Sequence, residues 1–177
     1  MELYVERGFE RTTVAEIAQR AGLTERTFFR HFADKREVLF AGAGALQELL
    51  VSQVDAAPDG RPPMEVVADA LAAAAEAFFE GHRPQSRQRQ HIIDANADLQ
   101  ERELIKLASL ANAVADALRR RGVGDPGAGL AAEAGIAVFK IAFQDWVHGT
   151  GTASLAEGIR AGVDALRLVT GAEPAPT

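Results

Sequence analysis

The 177-residue sequence contains no cysteine, one tryptophan and one tyrosine. The absence of cysteine excludes disulfide bonds, thiolate metal sites and cysteine nucleophiles. The two most apolar stretches, 66–79 and 130–147, are interrupted by charged residues such as Asp69 and Lys140, so neither is a candidate membrane span. No secretory signal is evident. Together these absences predict a soluble, cytoplasmic protein, and the 47% of hydrophobic residues is enough for a packed core.

A surplus of positive charge is also lacking, because the formal net charge is -6. The segment Met1–Phe40 is neutral, with seven basic and seven acidic residues, so the whole deficit lies after it. Within Arg20–Arg36 alone, five basic residues stand against two acids, which gives +3. This distribution predicts an acidic body that carries one locally basic surface, which is where a nucleic acid would bind.

The pattern of apolar residues predicts an all-α protein of about nine helices, because apolar residues recur at intervals of three and four. The fourth helix is predicted over about Lys35–Ala57 and contains Gly42 and Gly44. Two glycines so close together weaken a helix, which indicates either a hinge or close packing against a neighbouring helix. The seventh helix is predicted to start at Asp98 with a capping box to Glu101.

The last two predicted helices carry more apolar surface than one subunit can easily cover. The helix Leu130–His148 is apolar almost all round, and Ser154–Val169 has one apolar face that includes Ile159 and Leu166. Surfaces of this kind mark interfaces. We therefore expect a homodimer in which these two helices of each subunit form a four-helix interface with Ile159 and Leu166 in it.

The segment 12–35 has the pattern of a helix-turn-helix. Thr13 is suited to cap a first helix, Val14–Ala21, and Gly22 permits a left-handed turn after it. Leu23 is predicted to be the apolar plug of that turn, and Thr24 to cap a second helix. Two short helices joined in this way place the second helix in the major groove of DNA.

The second helix of this motif has two different faces. Phe28 and Phe32 lie four residues apart and are predicted to pack on the core. The side chains left around the outside are Thr24, Glu25, Arg26, Thr27, Phe29, Arg30 and His31. Arginine and threonine supply donors for base edges and phosphates, so this face is the predicted DNA-reading surface.

The order and spacing of the motif resemble the amino-terminal signature of the tetracycline-repressor (TetR) family. The matching residues are Gly8-Phe9, Thr13-Val14, Ile17-Ala18, Ala21-Gly22, Thr27-Phe28-Phe29-Arg30-His31-Phe32, Lys35 and Leu39. The resemblance implies base contacts near Glu25, Arg26 and Thr27. It implies phosphate contacts from Thr13, Phe29, His31 and Lys35. The family usually has tyrosine at the position of Phe29, whose ring lacks the hydroxyl that reaches a phosphate.

The resemblance also implies an organisation and a mode of action. Residues 1–40 are predicted to form the DNA-binding domain, whose first helix is expected to be truncated, and residues 41–177 the ligand-binding and dimerisation domain. The expected protein is a homodimeric transcriptional regulator that binds a palindromic double-stranded operator and is released from it by a small molecule. The alternative is a small-molecule-binding protein or enzyme with a vestigial helix-turn-helix.

A second, shorter resemblance concerns the effector. The segments Ala95–Leu110 and Ala117–Gly122 are similar to a TetR subgroup that binds acyl-CoA-like ligands, although Ala97 stands where proline is usual. The effector is therefore expected to be acyl-CoA-like or otherwise apolar. The predicted pocket residues are Leu46, Leu50, Phe78, Phe79, His82, Arg83, Phe139, Phe143 and Trp146.

The remaining polar groups do not predict chemistry. The cations His82, Arg83, Arg87, Arg89 and His91 suit an anionic ligand, but a solvated helix face explains them as well. The aromatic residues of the predicted pocket are equally explained as core. No phosphate-binding glycine loop, catalytic triad order or metal-ligand spacing is present, so we expect no catalytic residues, no metal and no cofactor.

Overall fold

The computed structural model describes residues 1–171, and these contain only helices and their connections. The expected all-α class is confirmed. The α-helices are α1 Glu2–Arg7, α2 Val14–Arg20, α3 Glu25–His31, α4 Ala43–Ala56, α5 Pro63–Phe78, α6 Arg83–Asp94, α7 Ala97–Arg120, α8 Gly127–His148 and α9 Leu155–Thr170. A 3-10 helix, Lys35–Phe40, follows α3. No helix of the described part is long and apolar enough to cross a membrane.

The chain divides into two compact units. The head unit comprises residues 1–43 and 84–106, and the body unit comprises residues 44–83 and 107–171. The backbone passes between the units after residues 43, 83 and 106. The segment 84–106, which lies far from the helix-turn-helix in the sequence, is thus part of the same compact unit as that motif.

The head unit has its own apolar core, to which distant parts of the sequence contribute. Its buried members are Tyr4, Phe9, Leu39, Phe40, Ile92, Ile93 and Leu99. The last three come from α6 and α7, so these helices cover apolar surface that the short helices before residue 43 would otherwise expose. Short helices are marginal alone and gain most of their stability from such packing.

The body unit is a helical bundle in which small residues allow close contact between helices. A Cβ atom at Gly135 on α8 would lie 2.3 Å from Cγ1 of Val67 on α5. At Gly162 on α9 it would lie 2.8 Å from Cγ1 of Val138. Real Cβ atoms do not approach other atoms so closely, so the spacing of α5, α8 and α9 requires glycine at these two positions.

The predicted fourth helix is not continuous. The 3-10 helix ends at Phe40, residues 41 and 42 form a turn, and α4 begins at Ala43. A Cβ atom at Gly42 or Gly44 would meet no atom within 4 Å, so the structure does not support close packing as the reason for these glycines. They lie where the chain leaves the head unit, and the hinge hypothesis stays a prediction.

The predicted capping box at the start of the seventh helix is wrong. Helix α7 begins at Ala97, which places Asp98 inside the first turn and not at the cap position. Capping boxes do occur at two other helix starts, Thr13 with Glu16 and Ser154 with Glu157. At α7, an acid three residues after a polar residue therefore does not mark the start of the helix.

The structure contradicts the expected placement of Ile159 at a subunit interface, whereas Leu166 is half-buried. Ile159 is fully buried in the core of its own subunit, and Leu166 packs against the same core. The large apolar residues of α9 that remain exposed are Leu168 and Val169. The amphipathic pattern correctly indicated one buried face, but that face packs on α5 and α8 of the same chain.

Candidate functional site

The helix-turn-helix of the head unit is built from local contacts. Thr13 caps α2, since its Oγ1 accepts a hydrogen bond from the backbone N–H of Glu16. Gly22 has a φ of +69° in the turn that follows, as predicted. The N–H of Leu23 donates to the carbonyl of Ala18 at 2.8 Å and closes the turn. The side chain of Leu23 is exposed, so its predicted role as an apolar plug is wrong.

Helix α3 presents the predicted DNA-reading residues to solvent. Thr24 caps the helix through the N–H of Thr27, and Phe28 is buried beneath it, with Phe32 half-buried next to it. The exposed residues of the predicted set on this motif are Thr13, Thr24, Glu25, Arg26, Phe29, Arg30 and His31, and Thr27 is half-buried. Phe29 is 54% exposed, which is unusual for a large apolar side chain and leaves its ring available to a partner.

The basic surface is narrower than the charge count suggests. Arg20 pairs with Glu2 and Glu6 of α1, and Arg36 pairs with Asp34, whose pKa it holds below the usual value. Arg26 and Arg30 form no ion pair within residues 1–171. These two arginines lie four residues apart on one face of α3, so they are the cations most available to DNA.

Lys35 is engaged in a different way from the predicted one. Its Nζ donates to the carbonyls of Phe9, Glu10 and Thr12 at 2.9, 3.2 and 3.1 Å. The ammonium also lies 4.4 Å from the centre of the Phe9 ring. An ammonium has three donors, and all three are used, so none is left for the predicted phosphate contact. The contacts instead give Lys35 a structural role, joining the 3-10 helix to the loop before α2.

The geometry at Thr13 does not favour a phosphate contact either. Its backbone N–H and its hydroxyl both lie 2.9 Å from Oε2 of Glu16. The Glu16 carboxylate thus already accepts both polar hydrogens of Thr13 at the start of α2. Hydrogen bonds from Thr13 and the nearby Arg7 keep the pKa of Glu16 below its usual value, so it stays charged at neutral pH.

Four of the predicted pocket residues form one aromatic cluster in the body unit. The ring of Phe79 lies 5.9 Å from Phe139, 5.4 Å from Phe143 and 6.4 Å from Trp146. The last three are buried, and the cluster is continuous with the body core. Of the others, Leu50 is buried, Leu46 and Phe78 are half-buried, and His82 is exposed.

Three of the five N–H donors of the Arg83 guanidinium are engaged by backbone carbonyls. Arg83 donates to the carbonyls of Trp146, Gly149 and Gly151, and its guanidinium lies 5.6 Å from the Trp146 ring. These carbonyls follow or end α8, whose carboxy-terminal end attracts a cation. Arg83 therefore caps α8 next to the aromatic cluster, a role that the sequence pattern did not indicate.

Sequence reasoning also missed residues that position the motif from a distance. Glu37 of the 3-10 helix accepts hydrogen bonds from Arg102 and Lys106 of α7. Arg89, one of the cations that suit either an anionic ligand or a solvated helix face, is largely buried and donates to the carbonyl of Leu39. No local spacing could reveal these pairs, because the partners lie 50 or more residues apart.

The fold and the exposed α3 define a helix-turn-helix protein with a second, helical unit. Two family models match the chain: bacterial regulatory proteins of the tetR family over residues 1–41, and the MftR C-terminal domain over residues 61–170. The second match alone covers more than half of the chain. The protein belongs to the TetR family of transcriptional regulators.

Individual relatives agree with this assignment. The HTH-type transcriptional regulator TcmR of Streptomyces glaucescens is 37% identical over 73 residues, which is 41% of this chain. The match spans about a third of the length of that relative, 32%. Thermus thermophilus FadR, a TetR family repressor solved with lauroyl-CoA, is 25% identical with a TM-score of 0.58, covering 100% of this chain and 95% of its own. PfmR, also from Thermus thermophilus, shares the fold, with 24% identity, a TM-score of 0.53 and coverage of 98% and 96%.

Proposed function

We propose that the protein is a ligand-released repressor that binds a palindromic operator as a homodimer and has no enzymatic activity of its own. The observation that carries the proposal is the exposed face of α3, where Arg26 and Arg30 stand without acidic partners beside the exposed Phe29. A DNA-bound regulator of this kind acts in the cytoplasm. The vestigial helix-turn-helix is not favoured, because a relic would have no reason to keep this face open.

The two arginines are expected to have different roles. The amino-terminal part of a recognition helix contacts base edges, and Arg26 is the second residue of α3. Arg30 lies one turn later, and we assign it to phosphates together with His31, whose imidazole is 3.5 Å from the Arg30 guanidinium. Phosphate contacts hold the helix in place but carry no sequence information.

Arg26→Ala should reduce sequence discrimination, and Arg30→Ala should weaken binding to all duplexes alike. A base-edge contact contributes about 1–3 kcal/mol of discrimination, so the preference of Arg26→Ala for its best sequence should fall roughly tenfold or more. The measurement is selection of duplexes from a random library by the parent, followed by titration of the selected and scrambled duplexes at several salt concentrations. Unchanged discrimination in Arg26→Ala would contradict the assignment, and a parent that selects no sequence would contradict the proposed function.

The proposed effector is a molecule with an acyl chain, and acyl-CoA is its proposed class. The support is the aromatic cluster in the body unit, together with the lauroyl-CoA bound to the FadR relative. Rings of this kind bury an acyl chain well, whereas Arg83 already directs three of its N–H donors to backbone carbonyls. The acyl chain of the effector, rather than its nucleotide, is therefore expected to supply most of the binding affinity.

Lauroyl-CoA should release the selected duplex and change the emission of Trp146, the single tryptophan, which lies in the cluster. Free CoA is the matched control, because it has the nucleotide without the chain, and it should do neither. If lauroyl-CoA binds without a change in Trp146 emission, the cluster is not its site. If it does not bind, the acyl-CoA class is wrong while the DNA-binding proposal stands.

The proposed homodimer is supported by exposed apolar side chains on the last two helices. Leu130 and Ile141 of α8 and Leu168 and Val169 of α9 are all at least 60% exposed. Such a concentration of large apolar residues on two consecutive helices is typical of an interface between copies of a chain. These four residues replace Ile159 and Leu166 as the proposed contact.

A further inference from the structure

The 3-10 helix Lys35–Phe40 directly follows the recognition helix and is held on several sides within the head unit. From α1, the buried Tyr4 donates its hydroxyl to the carbonyl of Lys35. From the loop before α2, the carbonyls of Phe9, Glu10 and Thr12 hold Lys35 itself. Only residues 32–34 separate α3 from this element, so the 3-10 helix fixes where the chain leaves the recognition helix.

The first long-range contact with the 3-10 helix comes from α7. The side chain of Glu37 is only 15% exposed, and both of its oxygens are engaged, one by Arg102 and the other by Lys106 at 2.9 Å. The two cations hold the pKa of this carboxyl below its usual value in spite of its burial. A half-buried carboxylate with two cationic partners forms strong, directional contacts.

A second long-range contact with the 3-10 helix comes from α6. Nε of Arg89 donates to the carbonyl of Leu39 at 2.7 Å, and its guanidinium lies 4.9 Å from the centre of the Phe40 ring. Glu103 of α7 accepts from the same guanidinium at 3.3 Å. Arg89 therefore links α6, α7 and the 3-10 helix through one planar guanidinium with several donors, which lysine does not have.

We propose that Glu37 and Arg89 are positioning residues for DNA recognition: through them, α6 and the first half of α7 set the orientation of the recognition helix. The proposal rests on the proposed function and goes beyond it, since it assigns control of operator affinity to residues that touch neither DNA nor effector. The membership of residues 84–106 in the head unit supports it independently.

The contacts of Glu37 with α7 and of Arg89 with Leu39 form a clamp on the 3-10 helix. Loss of this clamp should lower operator affinity, because a smaller fraction of molecules would have the recognition helix oriented for DNA binding. Apparent affinity falls in proportion to that fraction. Glu37→Gln removes the charge and keeps the shape, and it should raise the apparent Kd for the selected duplex about tenfold, as expected when charge-assisted bonds are lost. Amide hydrogen exchange of the full-length protein should become faster at residues 25–40 and stay unchanged at residues 155–170.

Three further variants complete the test. Lys106→Gln weakens the contact with Glu37, and Arg89→Lys weakens the contact with Leu39. Both should change operator affinity and hydrogen exchange in the same direction as Glu37→Gln. Asp55→Asn is the matched control, because it breaks the ion pair with Arg120, 2.9 Å long, in the body unit. It should leave both measurements at the parental values.

The outcomes separate positioning from simple stabilisation. A lower melting temperature with unchanged Kd and unchanged exchange at residues 25–40 would overturn the proposal, since a purely structural residue behaves in that way. If Glu37→Gln does not fold, Lys106→Gln decides by the same criteria. A parent that selects no duplex would count against the proposed function, while hydrogen exchange would still decide whether the clamp exists.

Discussion

Lys35→Met should destabilise the DNA-binding head by about 2–3 kcal/mol, the usual contribution of hydrogen bonds to a charged group. The substitution keeps the aliphatic part of the side chain and removes the ammonium that joins the carbonyls of Phe9, Glu10 and Thr12. It also removes the cation next to the Phe9 ring, a buried residue of the head core. Three acceptors would lose their partner at once, and two of these contacts are partly buried.

The measurement is denaturation in urea followed by hydrogen exchange of residues 1–43. Arg30→Met is the control, because it removes an exposed cation without an ion pair from the same unit and should change stability by no more than about 0.5 kcal/mol. Because Lys35 holds the same 3-10 helix as Glu37, any loss of affinity for the selected duplex in folded Lys35→Met should be accompanied by faster hydrogen exchange at residues 25–40. Full stability with weakened binding to every duplex would mean that Lys35 contacts phosphate after all.

Ile159→Asp and Leu168→Asp should have opposite consequences, although both place a charge on the last helix. Ile159 is 0% exposed in the body core and Leu168 is 76% exposed. A charge at position 159 would be buried without a partner in a cavity left by the lost side chain, at a cost of at least about 4 kcal/mol. We expect Ile159→Asp to be unfolded or insoluble, and Leu168→Asp to be folded and monomeric.

Circular dichroism and sedimentation velocity at micromolar concentration test this pair. Val5→Asp is the control for the second variant, since Val5 is an exposed apolar residue of the head unit and its replacement should leave the sedimentation of the parent unchanged. A parent that sediments as a monomer would contradict the homodimer. A Leu168→Asp variant that remains dimeric would show that the interface lies elsewhere.

The helix-turn-helix could be predicted from the sequence because its determinants are local. Thr13 and Thr24 cap helices through contacts three residues away, and Gly22 adopts the left-handed turn that few other residues tolerate. The face of α3 that points outward follows from the helical period once Phe28 is assigned to the core. Contacts between residues about three apart depend only on the local geometry of the backbone, so the neighbouring residues in the sequence are enough to predict them.

The partners of the charged residues could not be predicted in this way. Arg20, Arg36 and Lys35 look alike in a charge count, yet acids neutralise the first two and carbonyls hold the third. Arg83 and Arg89 belong to one cationic cluster in the sequence. In the structure, Arg83 caps α8 and Arg89 donates to the carbonyl of Leu39. The position of a long side chain depends on what packing brings within its reach.

The sequence by itself determined that the chain is all-helical, that its amino-terminal part contains a helix-turn-helix, and which face of the second helix of that motif is exposed. The tertiary structure alone decided that Ile159 faces the core of its own subunit and that residues 84–106 join the head unit. It also decided that Lys35, Glu37 and Arg89 hold the 3-10 helix in place. The physical reason is range: helical periodicity and capping act over a few residues, whereas burial and ion pairing join groups that are distant along the chain.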